Sequence, residues 1–335
     1  MGKNFETDVV IIGAGPVGLF AVFECGMMKM NCHVVDTLDF IGGQCTALYP
    51  EKPIYDIPAH PQISAEQLIK NLEQQAAPFN PVYHLGQQVV SFSESGDDII
   101  VRTSTGNEIT CKAVIIAAGC GAFGPNRPPL ADIESYEGKS VFYMVGRKED
   151  FRNKKVVIAG GGDSAVDWAL SLADIAEKLY VVHRRDKFRC APDSSEKLHQ
   201  LADSGAIELV IPYQLDSLEG RNGELSAVNV KTLDGNLRAI EADILLPFFG
   251  LAMELGPIAD WGLSLDKNLI EVEQNTMQTS HPKIFAVGDI ASYNNKLKLI
   301  LSGFAEAATA AHSAYPLVHN QAYHFEYSTT SGVPK

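Results

Sequence analysis

Residues 8–36 read DVVIIGAGPVGLFAVFECGMMKMNCHVVD, and residues 154–185 read KKVVIAGGGDSAVDWALSLADIAEKLYVVHRR. Each stretch is a short apolar run, a Gly-rich turn, an apolar helical pattern and a second apolar run, which is the signature of a βαβ unit. The helical patterns cover Pro16 to Met28 and Asp163 to Ala176. Two such units predict an α/β chain with two Rossmann-like nucleotide-binding domains, each of three layers. Working outward, KAVIIAAGCGAFGPNRPP (112–129) is a buried strand running into Gly and Pro breakers, where a crossover is expected. DILLPFFGL (243–251) reads as the strand leading back, HPKIFAVGDI (281–290) as a further buried strand, and 303–315 as an Ala-rich helix. The second nucleotide domain is therefore inserted in the first, with expected bounds of 1–118 and 250–335 for the first and 119–249 for the second.

The two turns differ in chemistry. In the first, Gly13 permits the tight turn, Gly15 lets a pyrophosphate approach the backbone, and Gly18 lets helix and strand pack closely. Asp36 ends the following strand, 18 residues after Gly18, in position to accept hydrogen bonds from a ribose. The second turn is a GxGxxA variant carrying Gly160, Gly162, Asp163, Ser164 and Ala165, and the same interval lands on His183, followed by Arg184 and Arg185. A carboxylate there would repel a 2′-phosphate, whereas two guanidinium groups grip one in bidentate fashion. At roughly 1.5 to 3 kcal/mol for each hydrogen bond to a charged group, the pair favours NADPH over NADH by about two to four powers of ten, and Arg189 adds a third candidate contact. FAD is expected at the acidic register and NADPH at the Arg register. Gly42-Gly43-Gln44 sets backbone and an amide beside whatever extends from the first pyrophosphate, Tyr49 is a candidate for the flavin face, and Asp289 of the Gly288-Asp289 pair, which closes a strand that feeds a helix, is a candidate for a ribityl hydroxyl, with the helix N-terminus supporting negative charge on reduced flavin. Val89 and Phe123 are candidates for the same pocket.

Composition bounds the alternatives. The 335 residues are 46% hydrophobic and 20% charged, which excludes disorder, and 27 basic against 41 acidic residues give a net charge of −14, which argues against nucleic acid or acidic lipid as partner. Six cysteines without a CxxC pair support neither a disulfide scaffold nor a zinc ribbon, no His cluster has metal spacing, and no metal is expected. The longest stretch without Asp, Glu, Lys or Arg, 307–325, holds three histidines, so no membrane span is expected. With no targeting segment legible at the N-terminus, the expected location is the cytoplasm.

Taken together, GAGPVG with Asp36, FIGGQ, LYPEKPIYDIP, AAGCGAFGP, GGGDSAVDWAL with HRR, and FAVGDI resemble the thioredoxin-reductase-like ferredoxin–NADP⁺ reductases over essentially the whole chain. The resemblance implies FAD contacts at Asp36, Gln44, Tyr49, Val89, Phe123, Asp289 and a threonine of the YSTT run, Thr329 or Thr330. It also implies a homodimer whose C-terminal tail lays an aromatic residue on the flavin opposite Tyr49, with Tyr327 the first choice and His324 the second. The implied activity is hydride transfer between NADPH and FAD and one-electron exchange with ferredoxin or flavodoxin.

Thiol relays are missing from the places where related enzymes carry them. Thioredoxin reductases need a CxxC in the nucleotide domain, and YMVGRKEDFRNKK (143–155) has no cysteine; Cys45 in GGQC has Pro50 where a glutathione-reductase-type pair would need its second cysteine. No acid–base side chain is required, because the cofactors carry the chemistry. The rival readings are another NADPH-dependent flavoenzyme, such as a low-molecular-weight disulfide reductase using Cys45 or an NADPH oxidase, and a non-catalytic flavin redox sensor. An acidic carrier protein needs a local basic patch on so acidic a chain, and the candidates are Arg147, Lys148, Arg152, Lys154 and Lys155, or Lys296 and Lys298.

Overall fold

The computed structural model describes residues 2–321, and the chain divides into two compact units, one of residues 1–123 with 253–335 and the other of residues 124–252. In the first unit, five parallel strands stand in the order Ile284–Ala286, Ala113–Ile116, Val9–Ile12, Cys32–Val35, Val82–His84. Four of these strands, all but Val82–His84, are buried at every position, which is why they read as unbroken apolar runs rather than alternating ones. Ile11 and Ile115 are fully buried at the centre, and truncating either to Ala costs about 2–5 kcal/mol.

The helix Pro16–Met27 crosses from the first strand to Cys32–Val35; Gly15 is its N-cap and Pro16 needs no N–H partner there. It ends where Lys29 takes a left-handed φ of +57° and the N–H of Met30 returns to the carbonyl of Cys25. The long helix Ile300–His319 packs against it through Ala307, Ala310, Ala311 and Ala314, all fully buried, small side chains that permit close approach. A second sheet, Asn4–Glu6, Glu108–Cys111, Asp98–Thr103, Val89–Ser95, is antiparallel except at its first pair. The chain leaves the central strand Val9–Ile12 toward Cys32–Val35 and returns to its other side at Ala113–Ile116. That reversal makes a crevice at the carboxyl ends of the strands.

The second unit repeats the plan with four parallel strands in the order Glu208–Val210, Lys178–Val182, Lys155–Ala159, Ile244–Pro247. Its crossover helix is Asp163–Leu172, four residues shorter than the periodicity suggests, and the reversal again lies beside the first strand. A three-stranded antiparallel sheet, Gln214–Arg221, Glu224–Lys231, Leu237–Glu241, completes it.

Candidate functional site

In the first unit the crevice is an open cleft lined by both strand ends and the Gly-rich turn. The three glycines of that turn lack side chains for three reasons. At Gly13, with φ +109°, a β-carbon would stand 2.4 Å from the carbonyl oxygen of Ala117; at Gly18 it would stand 1.9 Å from that of Gly13. At Gly15 nothing among the described residues lies within 4 Å of a β-carbon, so the turn faces open space there. Gly15, Asp36, Gln44, Tyr49, Val89 and Asp289 all line this one cleft. The N–H of Ala14 donates to Asp36 Oδ2 at 2.6 Å and that of Leu38 to Oδ1 at 2.9 Å, so the carboxylate is aimed by backbone. Burial nevertheless raises its pKa against those bonds, a cost that a pair of hydroxyl donors would relieve.

Gln44 opens the short helix Gln44–Ala47, whose entry is set by Gly43 with its missing β-carbon 3.1 Å from Gly15 Cα. Cys45 is buried, its thiol 3.9 Å from the Tyr49 hydroxyl, and burial pushes it up to about 11, so it is a neutral thiol at physiological pH. Burial also raises Tyr49, whose ring has Lys52 Nζ 5.6 Å from its centroid. Asp289 is raised by burial, with Lys298 and Lys296 pulling the other way.

The structure refines some expectations, and others fall outside what it describes. The strand that closes at Gly288-Asp289 does not feed a helix at once: Gly288–Ile290 is a single 3₁₀ turn followed by the strand Ala291–Ser292, and the helix that reaches the cleft begins at Leu299 and Ile300, three residues before the expected Gly303. Its first turn has no side-chain cap among the described residues, so its N-terminal N–H groups and positive dipole end belong to the cleft wall. Phe123 falls on the strand Ala122–Pro125, and its side chain lies outside what is described; His324, Tyr327, Thr329 and Thr330 lie outside the described residues altogether. Lys296 is no surface cation, since its side chain is 7% exposed and pairs with the buried Glu306. Arg152 pairs with Glu149 and Lys155 with Glu241. Glu306 escaped the sequence reading because an acid in an Ala-rich helix reads as a solvated residue; the available signal was that it is the sole acid in 300–319.

In the second unit the turn is built alike. A β-carbon on Gly160, φ +152°, would meet the carbonyl oxygen of Phe248 at 2.6 Å, and Ala165 sits 3.1 Å away beneath it, whereas at Gly162, the N-cap of the helix, it would make an ordinary contact with the Arg189 carbonyl oxygen at 3.9 Å. The N–H of Arg189 donates to the Gly161 carbonyl at 2.6 Å, and the N–H of Ala191 donates to Asp163 Oδ1 at 3.0 Å. Those two bonds pin the loop 184–191 over the turn, and Asp163 serves as a pin. Arg184, Arg185 and Arg189 are exposed, as is Ser164. His183, in contrast, is buried beneath the turn, stacked on Phe188 at 5.1 Å with its Nε2 unpartnered among the described residues. Its ring fills the space that a β-carbon of Gly161 would need, so it shapes the turn from below while the arginines stay exposed.

Two dinucleotide folds of this kind, one with an acid at its second strand and one with arginines, define a class of pyridine-nucleotide-linked oxidoreductase. Residues 7–314 match the family described as pyridine nucleotide-disulphide oxidoreductase. A ferredoxin–NADP reductase of Paramagnetospirillum magneticum is 62% identical over 332 residues, 98% of each chain, and one of Rhodospirillum rubrum is 60% identical over 334 residues, 98% of this chain and 97% of the other. The crystal structure of Lactococcus lactis thioredoxin reductase (FR conformation) superposes with a TM-score of 0.81 at 25% identity, covering 94% of this chain and all of that one. The chain belongs to the pyridine nucleotide-disulphide oxidoreductase family, among its ferredoxin–NADP reductases.

Proposed function

We propose that the chain is a ferredoxin–NADP⁺ reductase that binds FAD in the cleft of its first unit and NADPH at the arginine-bearing turn of its second, and exchanges electrons with ferredoxin or flavodoxin. The observation that carries the reading is the contrast between two similar turns: Asp36 half-buried and aimed by backbone N–H groups at one, Arg184 and Arg185 exposed at the strand end that follows the other. The cradle at Gly15, the aimed Asp36 carboxylate and the uncapped helix start at Leu299 suit a dinucleotide with a pyrophosphate, a ribose and a ring system that gains negative charge. When bound, the two cofactors supply the hydride and single-electron chemistry. Asp36 holds the ribose, Gln44 and Asp289 hold the polar flank of the flavin, Tyr49 covers a ring face, and the arginines select the 2′-phosphate.

The acceptor follows from what the cleft lacks as a relay. Cys45 is the one cysteine among its lining residues, and a buried thiol with a pKa of about 11 neither attacks a disulfide nor forms a pair. Single electrons passed to a carrier protein require no thiol. Arg147 and Lys154 in the second unit and Lys298 in the first are exposed and have no ion pair among the described residues, which makes them the docking cations to test. The homodimer, with Tyr327 of the tail over the flavin and Thr329 or Thr330 beside it, completes the proposal on the family resemblance.

The test is anaerobic. The purified yellow protein is mixed with NADPH or NADH and then offered ferredoxin, flavodoxin, thioredoxin with a disulfide, or a low-molecular-weight disulfide. Bleaching by NADPH far ahead of NADH, with rapid return of colour on ferredoxin or flavodoxin alone, is the expected result. Recovery by a disulfide alone refutes the carrier reading, and bound FAD that NADPH does not bleach refutes catalysis.

A further inference from the structure

Glu306 is 4% exposed on the inner face of the helix Ile300–His319, and every oxygen of its carboxylate is engaged. Oε2 accepts from the N–H of Gly288 at 2.7 Å; Oε1 accepts from the Tyr293 hydroxyl at 2.7 Å and from Lys296 Nζ. Lys296 is equally enclosed and stands 5.2 Å from the Tyr293 ring centroid. One turn earlier on the helix, Gly303 brings the backbone within reach of Gly288 Cα, where a β-carbon would lie 3.4 Å away. The carboxylate thus joins two segments that line the cleft: the turn carrying Asp289, through Gly288, and the loop ending at Leu299 and Ile300, through Tyr293 and Lys296. A buried ion pair is costly to assemble and costly to break, so one that spans two walls of a ligand cleft has a positioning role to explain it.

We propose that Glu306 and Lys296 form a flavin-positioning clamp, in which one carboxylate oxygen sets the Asp289 turn and the other sets the loop leading to Leu299, so that both walls are in place before FAD enters. The clamp rests on the flavin reading given above. Its two charges act on Asp289 with opposite sign, the cation favouring its carboxylate and the anion opposing it. Removing one leaves the other buried and uncompensated, which disturbs both walls and the field on the flavin. Removing both by near-isosteric groups does neither, because Gln keeps an oxygen to accept from the Gly288 N–H and an NH2 to donate to the Tyr293 hydroxyl, so both walls stay joined.

The experiment is a double-mutant cycle of Glu306→Gln, Lys296→Met and the double variant, read by FAD titration of the apoprotein and by the potential of the bound flavin at pH 8. Each single variant is expected to bind FAD about tenfold more weakly or worse, and Glu306→Gln, which leaves the cation, to favour reduced flavin by about tenfold, roughly 30 mV for a two-electron couple. The double variant returns affinity and potential to within about threefold of wild type. Single variants that bind FAD as wild type does, or losses that multiply in the double variant, overturn the clamp. Where a single variant does not fold, Tyr293→Phe, which keeps both charges and removes one donor, decides: a loss of about three- to tenfold in FAD affinity supports the clamp and unchanged affinity overturns it. A wild-type chain that takes up no FAD refutes the flavin reading instead, before any variant is compared.

Discussion

Gly15→Ala and Gly18→Ala are the same chemical change three residues apart, and the structure gives them opposite consequences. Gly15 is the N-cap of its helix with φ −71° and ψ −179°, a conformation open to alanine, and its β-carbon meets nothing within 4 Å. Alanine is the poorer N-cap by about 1 kcal/mol, and loss of glycine freedom in the unfolded chain returns roughly 0.4–1 kcal/mol. The apoprotein should therefore melt within about 2 °C of wild type. The new methyl stands in the path of the pyrophosphate, where overpacking of about 1–3 kcal/mol weakens FAD binding by roughly 5- to 150-fold. Gly18→Ala places its methyl 1.9 Å from the Gly13 carbonyl oxygen, a backbone atom that cannot swing aside. Its cost falls on the fold, about 3 kcal/mol or more, seen as a drop of about 6 °C or more in the apoprotein melting temperature. Apoprotein melts followed by flavin fluorescence titration measure both quantities on each variant. Normal FAD binding by Gly15→Ala, or a melting temperature as depressed as that of Gly18→Ala, would refute the claim that Gly15 is kept open for a ligand.

Removing both Arg184 and Arg185 as alanines should lower the NADPH-to-NADH ratio of kcat/KM by about two powers of ten, the low end for two charged hydrogen bonds at an exposed site; an unchanged ratio moves the 2′-phosphate elsewhere. Cys45→Ser should leave NADPH-to-ferredoxin turnover within about twofold of wild type, because a thiol held neutral by burial takes no part, and a loss beyond about tenfold would reinstate a thiol route. The buried pair His33 and His84, 3.1 Å apart between ring nitrogens, supplies a pH dependence. Burial lowers both from the ordinary 6.5, with His84 adding to the effect on His33, so the unfolded chain binds more protons in acid. Stability is full above about pH 6.5 and falls as the pH drops below it. Thermal melts between pH 7.5 and 5.5 should show that slope in wild type and a shallower one in His84→Gln.

Both nucleotide turns, their flanking strands and helices, the inserted second unit and the acid-against-arginine contrast were legible along the chain, because each is a local matter of apolar period, glycine placement and counting from a turn to the next strand end. Tertiary structure decided everything that depends on what meets a residue from elsewhere. Gly13 and Gly18 are small because Ala117 and Gly13 press on them, whereas Gly15 is small because nothing does, and the letters alone are identical. His183, Arg184 and Arg185 are consecutive, yet the imidazole is buried under the turn against Phe188 and Gly161 while the two arginines stay exposed. Lys296 and Lys298 are two apart, and only Lys296 is drawn inward, by a carboxylate ten residues further on. The helix expected from Gly303 begins at Ile300, and the 3₁₀ turn and short strand between it and Asp289 went unread, since neither carries a periodicity to announce it. Periodicity and spacing report which elements form; burial and charge pairing are properties of contacts between residues distant in the chain, and they exist only once the elements have packed.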